Sequence, residues 1–336
     1  MKKMLLNILK LSISLGVGVG LIIWFTSKLT AEQKQQTINA FMRADYFWII
    51  LAPLLGILSN LSRAQRWRLL LEPTGHKPSF WNTVFSIQVM YFFNLFFPRL
   101  GEVTRCSVLA RYENVPLDKS IGTMVVERLV DLISIALIGG VLLVVEYDRL
   151  FNYFVTHVLN KPSAPANQTN YTPYYILIGG LVIALLAILF LHRKYGLHKV
   201  KTLAKERLMG FVAGLLSIKD LKHPVEFIFH SVFIWVCYFL MIYISFKTLP
   251  ETAGLGIFAG MACLFMGGFA MVATPGGIGV YPLAIQQVLA LYLIDSITGY
   301  AFGSLVWGVQ MAGVLVAGVL SLLLLAILNR EPSLNT

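Results

Sequence analysis

Residues 94–131 read NLFFPRLGEVTRCSVLARYENVPLDKSIGTMVVERLVD. The apolar run 84–97 stops at Pro98-Arg99-Leu100-Gly101-Glu102. Charges then recur at Arg105, Arg111, Glu113, Asp118 and Lys119, until Glu127, Arg128 and Asp131 lead into another apolar run, 124–145. An ionised side chain at the centre of a bilayer costs about 2.5–3.5 kcal/mol on insertion scales, so charges embedded in so apolar a setting are functional candidates by default.

The rest of the chain supplies that setting. Of 336 residues, 57% are hydrophobic and 13% charged, against about 45–50% and about 25% in soluble domains. The long unbroken apolar runs exclude a transmembrane barrel, which needs alternating segments of roughly 10 residues. They predict an all-α, polytopic integral membrane protein. The run 5–25 is too long for a signal-peptide core and lacks a small-residue cleavage pattern, so it reads as a retained anchor. The net charge of +11 has no basic stripe interleaved with aromatics, which speaks against a nucleic-acid partner; positive cytoplasmic loops account for most of it. Cys106, Cys237 and Cys263 offer neither a disulfide framework nor zinc spacing. No metal-binding, nucleotide-binding or catalytic constellation is present, so neither cofactor nor enzymatic activity is expected.

Topology follows from counting crossings. Full spans are expected at 5–25, 47–61, 124–145, 174–191, 225–246 and 297–328, with polar segments at 28–46 and 147–173. The basic loop 192–223 and Lys2, Lys3 and Lys10 mark the cytoplasmic side, placing both termini there. If the runs 84–97 and 254–274 crossed fully, the basic loop would fall outside. If each instead enters and leaves by one face with the short helix after it, the basic loop, both termini and 63–77 fall inside, while 28–46, 147–173 and Glu251 fall outside. The expected fold is therefore about six spans plus two re-entrant helix pairs. It forms one transmembrane domain over residues 1–336, with halves of approximately 47–146 and 225–328 in an inverted-topology repeat, the design that places broken helices around a midplane substrate site.

Breaks at Pro98, Arg99 and Gly101, and at Pro275, Gly276, Gly277 and Gly279, occupy equivalent places in the two halves. A helix N-terminus carries roughly half a positive charge and free N–H groups, and glycine permits close approach of a head group. Arg99, Arg105 and Arg128 add forked donors suited to phosphate or carboxylate. Glu102 and Arg105, and Arg128 and Asp131, are spaced i,i+3; Glu127 and Asp131 are spaced i,i+4. The candidate substrate-binding set is therefore Arg99, Glu102, Arg105, Glu127, Arg128 and Asp131, with Asn94, Tyr281, Gln286, Trp307 and Gln310 as secondary candidates. The competing reading is structural: the ions pair with one another, PGGIGV is a packing turn, and Trp307, Gln310 and Gln286 pack helices. Arg63, Arg66 and Arg68 read as orientation signals.

PRLGEVTR (residues 98–105), VERLVD (126–131) and PGGIGV (275–280), taken in this order, resemble the transmembrane flippase-like region of lysylphosphatidylglycerol synthases over nearly the whole chain. The resemblance implies movement of a lipid with a polar or charged head group between leaflets of the cytoplasmic (inner) membrane. It points to Pro98, Arg99, Gly101, Glu102, Arg105, Glu127, Arg128 and Asp131, and to Pro275, Gly276, Gly277 and Gly279. Tyr281-Pro282 stands where family members often carry a glutamate. The chain ends just past its last helix, so a member without the soluble aminoacyltransferase domain is expected. The alternatives are a non-transporting membrane partner in envelope lipid or polysaccharide assembly, and a membrane-embedded head-group transferase. A homo-oligomer or an envelope-synthesis partner is compatible with either.

Overall fold

The computed structural model describes residues 30–97, 100–149 and 221–329, with the single residues 23, 27 and 151. The expected spans at 5–25 and 174–191, the body of the 147–173 loop, most of the basic 192–223 loop, and Pro98 and Arg99 lie outside the described residues. Two compact units are present: residues 1–134 with 221–336, and residues 135–220. Every contact between helices described below lies within the first.

The described residues fold as helices and turns without a strand. A short surface helix, α1 (Ala31–Met42), opens with a capping box in which Thr30 and Gln33 each satisfy the other's backbone N–H; it lies in the segment 28–46 expected to be polar, mildly amphipathic and at the surface. Then follow α2 (Tyr46–Leu71), α3 (Phe80–Phe96), α4 (Leu100–Tyr112), α5 (Leu117–Val145), α6 (Pro224–Ser245), α7 (Ile257–Ala273), α8 (Val280–Ala290) and α9 (Ser296–Leu328). Of these, α2, α5, α6 and α9 are long and apolar enough to cross a membrane, since roughly 20 residues span the hydrocarbon. The protein is thus a polytopic helical membrane protein. Large apolar side chains such as Leu54, Leu132, Phe229 and Leu323 stand exposed on these helices, as lipid-facing positions do.

One order of lengths occurs twice: 26, 17, 13 and 29 residues in α2–α5, then 22, 17, 11 and 33 in α6–α9. Polar contacts fix where these helices begin and end. At one end, Glu72 pairs with Lys222 at 3.3 Å, Gln65 donates to Glu226, Asn82 exchanges hydrogen bonds with Asn329, and Ser79 N–H donates to Glu113. At the other, Arg43 pairs with Glu251 at 2.5 Å, Asp45 N–H donates to the Thr248 carbonyl, and Phe246 packs on Phe302.

Because Glu113, just past α4, holds Ser79 and Asn82 at the start of α3, the pair α3–α4 goes in and returns to the same end. The pair α7–α8 opens at the opposite end, between the turn after Phe246 and the first turns of α9. Buried Phe246, Cys263, Tyr281, Ile285 and Phe302 form the core that holds α6–α9 together.

Candidate functional site

The two breaks touch. At the second, Gly276, Gly277 and Gly279 have φ of 59°, 71° and 72°, a region that favours glycine over any residue with a Cβ. Trp307 Nε1 donates to the Gly276 carbonyl at 2.7 Å, and a Cβ on Gly276 would lie 3.0 Å from the Leu95 side chain. Leu95 is in the last turn of α3, where Phe97 turns extended and ends the helix. At the first break, Gly101 lets α4 fold back on α3: a Cβ there would sit 2.0 Å from the Met90 carbonyl oxygen. The Gly101 N–H donates to Asn94 Oδ1 at 2.9 Å. Asn94 is therefore a cap that takes one of the N–H groups at the α4 N-terminus.

The charges assemble beside these breaks, on three helices. Arg63 and Arg66, one turn apart on α2, face Glu127 and Asp131, one turn apart on α5. Arg63 Nη1 donates to Glu127 Oε1 at 2.5 Å and to Asp131 Oδ2 at 2.9 Å. Arg66 Nη2 donates to Glu127 Oε1 at 3.1 Å and to Asp131 Oδ1 at 2.8 Å. Arg63 Nη2 also reaches Tyr238 Oη at 3.2 Å, which contacts Tyr91 Oη.

From α4, Arg105 approaches Glu127 Oε2 at 2.9 Å and lies over the Trp67 ring at 4.3 Å, a cation–π contact. Trp67 is itself fixed by donation to Thr123 Oγ1. Arg128 stands 3.5 Å from Asp131 and points a second nitrogen at the Met90 sulfur. The cluster is deep: Arg66, Arg105 and Glu127 have no exposed surface, and Asp131 lies about 21 Å along α5 at 1.5 Å per residue.

Glu127, Asp131, Arg105 and Arg128 are brought together as their types and spacing suggest. Arg63 and Arg66 are not orientation signals, since both are buried and each pairs with two carboxylates. Their i,i+3 spacing puts them on one helix face, as the i,i+4 spacing of Glu127 and Asp131 does on another apolar helix, and that was the available signal. Arg68 does differ: it donates to the Pro78 carbonyl and to Gln65 at the helix end. Glu102 stays out of the ion pairs, with Oε2 buried and no donor to it. In the second half, Tyr281 and Gln286 are buried, Tyr281 against Gly267 and Gln286 against Gly299. Gln310 is half-buried on α9.

The arrangement has unused capacity. No hydrogen-bond acceptor meets Nε, Nη1 or Nη2 of Arg105, or Nε of Arg63, Arg66 and Arg128. The 2.9 Å approach of Arg105 to Glu127 is thus an ionic contact without hydrogen-bond alignment. Buried donors normally find partners. Among the described residues, no group of His, Cys, Asp and Glu is set to hold a metal ion.

The profile of the lysylphosphatidylglycerol synthase TM region matches residues 7–318. Among curated proteins, the chain is 24% identical to Glycosyltransferase AglD of Haloferax volcanii over 314 residues, which are 86% of this chain and 50% of that protein. It is 28% identical to UPF0104 membrane protein MJ1595 of Methanocaldococcus jannaschii over 97 residues, 28% of this chain and 29% of that protein. The chain thus spans half the length of the first relative and less than a third of the second. No solved structure matches it.

Proposed function

For a chain that belongs to the lysylphosphatidylglycerol synthase TM region family, we propose a lipid transporter that passes the polar head of a membrane lipid between leaflets at the Arg63–Arg66–Arg105–Glu127–Arg128–Asp131 centre. The observation that carries this reading is the buried cluster itself: guanidinium groups buried between helices long enough to span a membrane, several donors unfilled, beside two helix breaks in contact. A group that only locked helices together would be expected to satisfy its donors, because a half-satisfied buried network costs more than an apolar core. The hairpins α3–α4 and α7–α8, opening at opposite ends, support re-entrant pairs in an inverted repeat, with halves of approximately 47–146 and 225–328. Such repeats work by rocking about a fixed midplane site. We place the protein in the cell (cytoplasmic) membrane with both termini cytoplasmic, on the charge of 192–223.

The test is reconstitution in vesicles carrying fluorescent lipids of several head groups, with bleaching of the outer leaflet. The expected result is protein-dependent loss of the protected fraction for at least one lipid, abolished in Arg128→Gln with the fold retained. Equal protection with and without protein, across the panel, overturns transport.

A second reading draws on one relative's name. AglD is called a glycosyltransferase, and this chain matches half of it, which supports participation in transfer to a lipid head group, directly or as a membrane partner. Release of labelled sugar from a polyprenyl-phosphate donor by the purified chain favours that reading over transport.

A further inference from the structure

The charge balance of the cluster says which head group it takes. Arg63, Arg66, Arg105 and Arg128 face Glu127 and Asp131, and arginine stays protonated in proteins. Two positive charges are in excess. Counting Glu102, one turn before Arg105 and with a buried oxygen that no donor meets, leaves one. An uncompensated buried cation is costly, and the cost is relieved when an anion enters.

The six side chains also divide by what they have left to offer. Arg63 and Arg66 are committed, each holding both carboxylates. Arg105 is wholly buried, with three nitrogens free of hydrogen bonds and one face covered by Trp67. Arg128 follows Glu127, which Arg105 contacts, leaves 41% of its side chain exposed and donates to the Met90 thioether. Arg128 is therefore the cation an arriving ligand meets, and Arg105 the one with donors still to give.

Resting on the proposed lipid-handling role, we infer that the ligand is a lipid phosphate whose negative charge no amine offsets, taken on the Arg105–Arg128 side of the cluster. Guanidinium forks match phosphate oxygens in pairs, and one phosphodiester neutralises one excess charge. A head group ending in an amine would bring a cation towards Arg128.

The experiment measures retention by native mass spectrometry. The detergent-purified full chain is offered phosphatidylglycerol, phosphatidate, phosphatidylcholine and lysylphosphatidylglycerol of matched acyl chains, with inorganic phosphate as the soluble arm. The first two should be retained about ten-fold or more over the others, as charge-assisted hydrogen bonds imply. Arg128→Gln should erase that preference and Arg128→Lys restore part of it, with the helical fold of both variants retained by circular dichroism. Equal retention of phosphatidylcholine, preference for the lysyl lipid, or full selectivity in Arg128→Gln overturns the proposal. Displacement by inorganic phosphate with no preference among lipids overturns the lipid assignment. No translocation step enters this measurement, so lipids that bind selectively and fail to flip count against transport alone.

Discussion

At the scale of single residues, Glu127 is the pivot. It touches Arg63, Arg66 and Arg105, whereas Asp131 touches Arg63, Arg66 and Arg128 from a position with 13% of its side chain exposed. Removing one member of a buried ion network costs about 3–5 kcal/mol, because the partners stay buried and uncompensated. Glu127→Gln is therefore expected to lower the unfolding midpoint in detergent, and by more than Asp131→Asn, where water partly screens the loss. An equal effect of the two would remove Glu127 from the centre of the network. Arg105, Glu127, Arg128 and Asp131 were legible in the sequence because they interrupt apolar runs with no other reason to be there. Arg63 and Arg66 were not. A basic residue where an apolar run stops looks like a topology signal, and the partners that reveal otherwise lie 61–68 positions away. The reach of a side chain across helices leaves no periodicity to read.

At the scale of elements, the α3–α4 hairpin depends on one small residue. A methyl at Gly101 would meet the Met90 carbonyl oxygen at 2.0 Å, whereas one at Gly122 on α5 meets nothing within 4 Å. Gly101→Ala is expected to destabilise by about 1–3 kcal/mol through overpacking, and Gly122→Ala to leave stability within about 0.5 kcal/mol, both read by thermal unfolding in detergent. If the two variants unfold alike, α3 and α4 are not in close contact there. The breaks themselves were visible in advance, since proline and glycine punctuate apolar runs. What closes them was not: Asn94 as a cap for Gly101 and Trp307 as an anchor for Gly276 are contacts across a turn and between helices. Tertiary packing decided those, not local propensity.

At the scale of the whole molecule, the opposed hairpins make the topology testable with single cysteines. Lys77 and Arg111 flank the α3–α4 hairpin, and Glu251 precedes α7. In sealed cells, Lys77→Cys and Arg111→Cys should react with a membrane-impermeant reagent only after permeabilisation, and Glu251→Cys before it. Labelling of Lys77→Cys and Arg111→Cys from opposite faces would make α3–α4 a full crossing. The hydropathy pattern and the basic loop were enough to argue this arrangement from sequence, because membrane insertion obeys composition and charge over whole segments. The contact between the two breaks, with Gly276 against Leu95, lay beyond that kind of reading.

The ladder of arginines on one helix and carboxylates on another also sets an order in time. Arg63 and Glu127 are 64 residues apart, and a chain made at about 5–20 residues per second leaves a gap of roughly 3–13 s between them. Throughout that interval α2 carries two arginines with no acidic partner yet synthesised, each costing about 2.5–3.5 kcal/mol at the bilayer centre. Seated alone at its final depth, α2 would forfeit much of what its apolar residues contribute. Its settling is therefore tied to the arrival of α5, and biogenesis of this half is a concerted event spread over four helices, not a sequence of independent insertions.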